Sequence, residues 1–139
     1  MKFEDLESWQ RARQLVNCVY SLTRTPGLEK DFGLCSQIQR AAVSIMSNIA
    51  EGFERVHLPE KMQFYNVARG SSAEVRSLLY VIEDNYPAVA KEAAGLRDEA
   101  IVVGKLVTGL IQSTASRRSK LLGILPPIFS LLASIFLRR

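Results

Sequence analysis

Residue types that commonly carry catalysis or bind metals are scarce in this chain of 139 residues. It contains one histidine, His57, and two cysteines, Cys18 and Cys35, which form no CxxC pair and no Cys/His cluster. A zinc site and a disulfide framework are therefore not predicted. We expect both cysteines to be small buried residues in a reducing cytosol, and His57 to lie in an exposed turn.

The motifs of nucleotide-binding and metal-dependent enzymes are also absent. Neither GxGxxG nor GxxxxGK[ST] occurs, and "ARGSS" lies inside a predicted helix and not between a strand and a helix. The carboxylate pairs Glu51 with Glu54 and Asp98 with Glu99 lack the ExxH pattern of helical metal sites. We therefore expect no catalysis, no metal, no cofactor and no small-molecule substrate.

Strand signals and chain breakers are few as well. The chain has only five prolines and eight glycines in a composition that is 47% hydrophobic and 23% charged, which excludes disorder for most of it. Residues 1–116 show no alternation with a period of two and no Asn-Gly or Asp-Gly hairpin signal. The opening "MKFEDLESWQ" carries three acids, which is not typical of a secretion signal. We expect an all-α cytoplasmic body.

Apolar residues recur at the three- and four-residue steps of four α-helices. The first helix is predicted from about Asp5 to Leu22, and the second from between Glu29 and Phe32 to between Gly52 and Arg55. Pro59 is expected at the first position of the third helix, and Pro87 opens the fourth. The apolar stripes of the four helices, in order, are Leu6, Trp9, Ala12, Val16 and Val19; Ile38, Ala42, Ile45, Ile49 and Phe53; Tyr65, Ala68, Ser72, Val75, Leu79, Ile82 and Tyr86; and Val89, Ala93, Leu96, Ala100, Val103, Val107 and Leu110.

Short connections between these helices predict an antiparallel up-down-up-down four-helix bundle over residues 1–116, with an open helical array as the alternative. We expect residues 117–139 to be a separate hydrophobic tail. Gly52 has two interpretations, as the end of the second helix or as a glycine at a close helix contact.

A polar stripe with small residues at its centre runs along the second predicted helix. In the first interpretation Arg40, Asn48 and Glu51 form hydrogen bonds or an ion pair with the third helix or with another subunit. The counterpart on the third helix consists of Arg69, Gly70, Ser71, Ser72 and Glu74. Gly70 costs about 1 kcal/mol in mid-helix relative to alanine, which favours a close approach there.

The second interpretation is a phosphate-binding surface. Here Arg40, Arg55, Arg69 and Arg76 converge, and aromatic side chains stack on bases. The candidate aromatic residues are Trp9, Tyr65 and Tyr80. We favour the structural interpretation, because Glu51, Glu54 and Glu74 lie among the same residues.

Charge is distributed unevenly along the chain. Residues 1–116 hold 13 Lys and Arg against 14 Asp and Glu, a net charge of −1, whereas residues 117–139 carry +5 and no acid. The uncharged run Leu121–Leu137 has 17 residues, contains Pro126 and Pro127, and is flanked by Arg117, Arg118, Lys120, Arg138 and Arg139. We expect interfacial association with a membrane over full spanning, with burial against another subunit as the competing interpretation.

Three segments carry a family resemblance: "FEDLESWQRARQL", "QIQRAAVSIMSNIAEGFER" and "ARGSSAEVRSLLYVIED". They resemble the bacterial four-helix-bundle proteins encoded in intervening sequences of 23S ribosomal RNA genes, over nearly all of residues 3–115. The resemblance implies an antiparallel four-helix bundle and a ring-like homopentamer. It also implies nucleic-acid association, because a distantly similar bundle is the accessory protein of the reverse transcriptase in diversity-generating retroelements.

Two functions are consistent with these patterns. The first is a non-catalytic, oligomeric module that binds RNA or a nucleoprotein as an accessory protein. The alternative is a structural scaffold tethered to a membrane by the tail.

Overall fold

The fold is all-α, as predicted. The computed structural model describes residues 1–123, which form four α-helices and three short 3₁₀ turns and contain no strand. The helices are α1 (Glu7–Thr23), α2 (Phe32–Glu54), α3 (Leu58–Asn85) and α4 (Ala90–Gly123). The 3₁₀ turns are Phe3–Asp5, Leu28–Lys30 and Pro87–Val89.

Local sequence signals set the helix boundaries. The Asp31 carboxylate caps α2 by accepting a hydrogen bond from the Leu34 N–H at 3.3 Å. Before it, Gly27 adopts φ 93°, a conformation that favours glycine. Pro59 is the second residue of α3 and not the first, and Pro87 begins the turn before α4. The predicted bounds of α2 are confirmed.

The helices pack as an antiparallel bundle in which each helix contacts its neighbours in sequence and α4 closes against α1. On the α2–α3 side, Ser44 lies beside Ser71, whereas Gly52, further along α2, lies beside the earlier residue Tyr65. Pairs that run in opposite directions along two helices establish the antiparallel arrangement. The predicted up-down-up-down bundle is therefore confirmed.

The apolar stripe of α3 forms the centre of the core. All its predicted residues from Tyr65 to Ile82 are buried, while Tyr86 is half-buried and donates a hydrogen bond from its hydroxyl to Asp31 Oδ2 at 2.7 Å. The predicted stripe of α2 is buried from Ile38 to Ile49. Regular heptad spacing on long helices thus locates the core correctly.

The stripe predicted for α1 is wrong by a small rotation of the helix. The buried apolar residues of α1 are Ala12, Leu15, Val19 and Leu22. Leu6, Trp9 and Val16 pack against the core and are only partly buried. Two apolar stripes overlap on α1, and contact with α2 and α4 selects the one that contains the leucines.

Gly52 lies at a close helix contact. It is buried in the last turn of α2, where a Cβ atom would lie 2.7 Å from Tyr65 Cε1 and 3.0 Å from Phe64 Cβ. The helix continues to Glu54, so glycine is needed here for space and not to end the helix.

α4 continues past the predicted domain boundary at residue 116 as far as Gly123, and residues 117–123 are exposed. The division into residues 1–116 and 117–139 stays a prediction. Pro126, Pro127, Arg138 and Arg139 lie outside the described residues. Among residues 1–123, no helix combines the length and the apolar character needed to cross a membrane.

We predict that Gly52→Ala destabilises the protein by about 1–3 kcal/mol, because the added methyl group overlaps the buried ring of Tyr65. Gly109→Ala is the matched control, since a Cβ at this exposed mid-helix glycine meets no atom within 4 Å. The control should gain up to about 1 kcal/mol from helix propensity. Urea unfolding followed by circular dichroism measures both, and equal changes in the two variants would contradict the close-contact assignment.

Candidate functional site

A small polar contact joins α2 to α3. The Ser44 and Ser71 hydroxyls are 2.8 Å apart, and Asn48 Nδ2 donates to the Ser44 carbonyl oxygen at 2.8 Å and to Ser44 Oγ at 3.1 Å. The ion pairs among residues 1–123 are Arg11–Glu99 and Arg97–Glu83, so the exposed Arg40 and Glu51 take no part in one there. The predicted contact between the second and third helices exists, but the serines make it.

A groove lies between α3 and α4, and we call it the α3–α4 groove. Its volume is about 320 Å³, and it is lined by Arg69, Ser72, Ala73, Arg76, Ala100, Ile101, Gly104, Lys105 and Thr108. Three of these residues are cationic and none is acidic. The groove therefore concentrates positive charge on a body whose net charge is close to zero.

Short side chains make this groove possible. Ser72 is buried and donates from Oγ to the Ala100 carbonyl oxygen at 2.8 Å. A Cβ at Gly104 would lie 3.2 Å from the same Oγ, so a larger residue there would crowd the floor. Thr108 turns its hydroxyl to the Gly104 carbonyl oxygen at 2.9 Å. The exposed cationic side chains therefore border a groove whose base consists of small residues.

The two arginines of the groove are one heptad apart on α3, so their Cα atoms are separated by roughly 10 Å along the helix. Lys105 faces them from α4. Within residues 1–123 none of the three forms an ion pair with a carboxylate. All three charges thus remain available to an anionic partner.

The four arginines predicted to converge do not line one surface. Arg69 and Arg76 lie on the side of α3 that faces α4. Arg40 instead lines a groove between α2 and α3 together with Glu74. Arg55 follows the end of α2, with its guanidinium carbon 4.6 Å from the centre of the Phe64 ring. The spacing within one helix correctly grouped Arg69 with Arg76. It could not show that Arg40 and Arg55, which belong to α2 and its end, lie away from them.

The predicted aromatic residues occupy different environments. Tyr65 is buried in the core, and Trp9 packs edge-on against Phe3 with ring centres 5.2 Å apart. Tyr80 is 51% exposed and lies one turn after Arg76 on the same side of α3. The guanidinium carbon of Arg97 is 4.1 Å from the Tyr80 ring centre. Of the three aromatic candidates, Tyr80 is placed beside the α3–α4 groove with an exposed ring.

Gly70 is exposed, and a Cβ there would meet no atom within 4 Å. No part of residues 1–123 therefore makes the close approach that was expected at this glycine. The alternative expectation, contact with another subunit, stays a prediction.

Lys105 and Thr108 were missed in the sequence. A usable signal was present, because Glu99 is the last acidic residue of the chain and every charged residue after it is Lys or Arg. The predicted tail cations Arg117, Arg118 and Lys120 are exposed near the end of α4.

The expectation that both cysteines are buried is wrong for Cys18. Cys18 is exposed on α1, beside an apolar groove between α1 and α4, whereas Cys35 is buried. Burial raises the pKa of the Cys35 thiol, and the carboxylates of Asp31 and Glu29 raise this pKa further. His57 is exposed just before α3. Within the described part of the chain, His, Cys, Asp and Glu side chains form no group of three that could hold a metal ion.

These features define a small antiparallel helical bundle with a cationic groove on one side. The family model described as 23S rRNA-intervening sequence protein matches residues 4–109. The chain belongs to this family, and the resemblance noted in the sequence is confirmed. A search of curated proteins gives no match.

We predict that iodoacetamide labels Cys18 in the native protein, while Cys35 reacts at least about tenfold more slowly because its reaction requires local opening. Mass spectrometry of peptides from a time course measures both rates. Cys18→Ser should remove the fast label and leave the slow one. Rapid labelling of Cys35 under native conditions would contradict its assigned burial.

Proposed function

We propose that the protein is a non-catalytic, oligomeric binding module that associates with RNA or a nucleoprotein through the α3–α4 groove. The observation that carries this proposal is the set of three cationic side chains, Arg69, Arg76 and Lys105, in a groove without a carboxylate. The description of the family as 23S rRNA-intervening sequence proteins supports it.

The chemistry of the groove suits a phosphate backbone. Arginine guanidinium groups bind phosphate oxygens with two parallel hydrogen bonds, and lysine supplies a point charge. Tyr80 is 51% exposed, and because the Arg97 guanidinium covers one face of its ring, a neighbouring base would stack on the other face. Small-molecule pockets usually hold few charged groups, whereas the small α3–α4 groove carries three cationic side chains and no carboxylate. A polymeric anion that follows the groove is therefore the better fit.

Assembly of several copies would strengthen such binding. One bundle offers few phosphate contacts, and a closed oligomer multiplies them through avidity. We place the subunit contact on the exposed side of α2 and α3, where Gly33, Ser36, Arg40 and Glu74 line a groove of about 540 Å³. The neighbouring Val67 and Val81 are 43% and 42% exposed. A homopentamer is the assembly that we propose, by resemblance to the ring-forming bundles.

Small residues and opposite charges on this side of the bundle are suited to contact with a second copy. Arg40 and Glu74 lie in the same groove, so each can pair with its counterpart on a neighbouring subunit. Gly70 and the serines permit close approach of another backbone. Such a polar contact would set the register of the subunits more than it would add stability.

We predict that the combined variant Arg69→Gln, Arg76→Gln, Lys105→Gln loses most RNA affinity. Each lost phosphate contact should lower the slope of log affinity against log salt by about 0.7–0.9, so the slope should fall by about 2–3. Fluorescence anisotropy with a short RNA hairpin over a series of KCl concentrations measures both quantities.

The matched control is Arg13→Gln, Arg24→Gln, Lys91→Gln, which removes three exposed cations outside the groove. It has the same net charge as the groove variant. Equal losses of affinity in the two variants would show attraction by overall charge only. Unchanged binding by the groove variant would rule out the groove as the RNA site.

We predict that Gly70→Leu lowers the oligomeric mass of the full chain. The bundle itself tolerates leucine there, because the space around Gly70 is open and leucine favours helix. Light scattering coupled to gel filtration gives the mass, with Gly109→Leu, at another exposed glycine in open space, as control. A wild-type chain that is monomeric at micromolar concentration would contradict the assembly, and an unchanged Gly70→Leu oligomer would move the contact elsewhere.

A further inference from the structure

The last part of α4 extends beyond the helix it packs against. Because α3 and α4 are antiparallel and Ser72 lies beside Ala100, the first residue of α3, Leu58, is level with about Thr114. Thr114 is also the last buried residue of the described chain. α4 then continues to Gly123, roughly 13 Å further. We call residues 116–123, all of them exposed, the α4 extension.

The α4 extension combines positive charge with exposed apolar surface. Arg117, Arg118 and Lys120 occupy three of four consecutive positions. Leu121 and Leu122 follow directly and are 60% and 58% exposed. The next residues continue the same uncharged run as far as Leu137.

The adjoining end of the bundle adds a further cation. Lys61 donates from Nζ to the carbonyl oxygens of Gly52 and Phe53, which ties it to the end of α2. Burial lowers the pKa of Lys61, and the nearby positive charge of Arg117 lowers this pKa further, while Glu54 opposes the shift. Arg117 therefore lies near the positive charge of Lys61 at this end of the bundle.

We propose that the α4 extension binds an anionic lipid surface. Its cations would contact the lipid head groups, and Leu121 and Leu122 would enter the boundary of the acyl chains. Basic residues beside exposed apolar residues provide the two signals that stable interfacial binding requires. This proposal is independent of RNA binding, because the α3–α4 groove lies on a separate part of α4.

Other occupants account for less of the α4 extension. RNA would explain the three cations but not the exposed Leu121 and Leu122. The apolar groove beside Cys18 in the same chain does not cover Leu121 and Leu122. Leu96, which lines that groove, lies roughly 40 Å back along α4 from Gly123. A second copy would cover apolar surface but would not explain why basic residues adjoin it. Lipid satisfies both the charge and the apolar surface.

The test uses the full chain, synthesised in a cell-free system in the presence of vesicles and then floated on a density gradient. One set of vesicles is phosphatidylcholine, and the other is an equal mixture of phosphatidylcholine and phosphatidylserine. The wild-type chain should float with the anionic vesicles and much less with the neutral ones. Each Lys or Arg near an anionic surface contributes about 1 kcal/mol, or about fivefold in partitioning.

The combined variant Arg117→Gln, Arg118→Gln, Lys120→Gln should therefore lower partitioning onto anionic vesicles by about 100-fold. A second variant, Leu121→Ser with Leu122→Ser, should weaken vesicle binding. The binding that remains should be more sensitive to salt, because it depends on charge alone. Both change only exposed residues, so circular dichroism should show an intact bundle. Arg76→Gln with Lys105→Gln, in the α3–α4 groove, is the control that should float like the wild-type chain.

Several results would overturn the proposal. They are a wild-type chain that stays at the bottom of the gradient, flotation that ignores the three cations, or an equal loss in the groove control. If the cation variant floats normally but loses RNA affinity, the α4 extension is an RNA contact. If the leucine variant dissolves an oligomer while no version floats, the α4 extension is an assembly element.

Discussion

Two adjacent serines fix α3 against both of its neighbours, and the rest of the bundle depends on this register. Ser71 forms its hydrogen bond with Ser44 of α2, and Ser72 forms its hydrogen bond with the Ala100 carbonyl of α4. Residues next to each other on a helix point about 100° apart, so one dipeptide can contact two helices. Because both hydroxyls are short and buried, the helices approach closely and leave a shallow groove on each side of α3.

The two grooves beside α3 differ in charge. The groove towards α2 contains both Arg40 and Glu74, whereas the charged residues of the groove towards α4 are all cationic. A mixed surface suits contact between identical subunits, and a surface of one sign suits a polyanion. For this reason we propose that the groove towards α2 contacts another subunit and that the groove towards α4 binds RNA.

Much of the fold could be predicted because long helices with regular apolar spacing leave few alternatives. The stripe from Tyr65 to Ile82 and the bounds of α2 are examples. The shorter α1 was predicted less well, since Ala12 and Val19 belong to two overlapping stripes. Cys18 was placed wrongly for the same reason, because the rotation of α1 leaves it exposed.

The candidate site was predictable only in part. Arg69 and Arg76 share a face because seven residues make nearly two helical turns, so their proximity could be predicted from their spacing. Lys105 could join them only after α4 had been set against α3. Arg40 and Arg55, which were predicted to converge, are 15 residues apart and lie in different surroundings.

By itself, the sequence determined the helices, their order, the family and the concentration of positive charge after Glu99, because each is a property of local spacing or composition. The tertiary structure decided which cations share a groove. It also showed that Gly52 lies at a close helix contact and that α4 extends beyond the first residue of α3. These depend on the register and rotation of packed helices. Register is set by contacts between residues far apart in the chain, such as Ser72 with Ala100, and no local pattern encodes it.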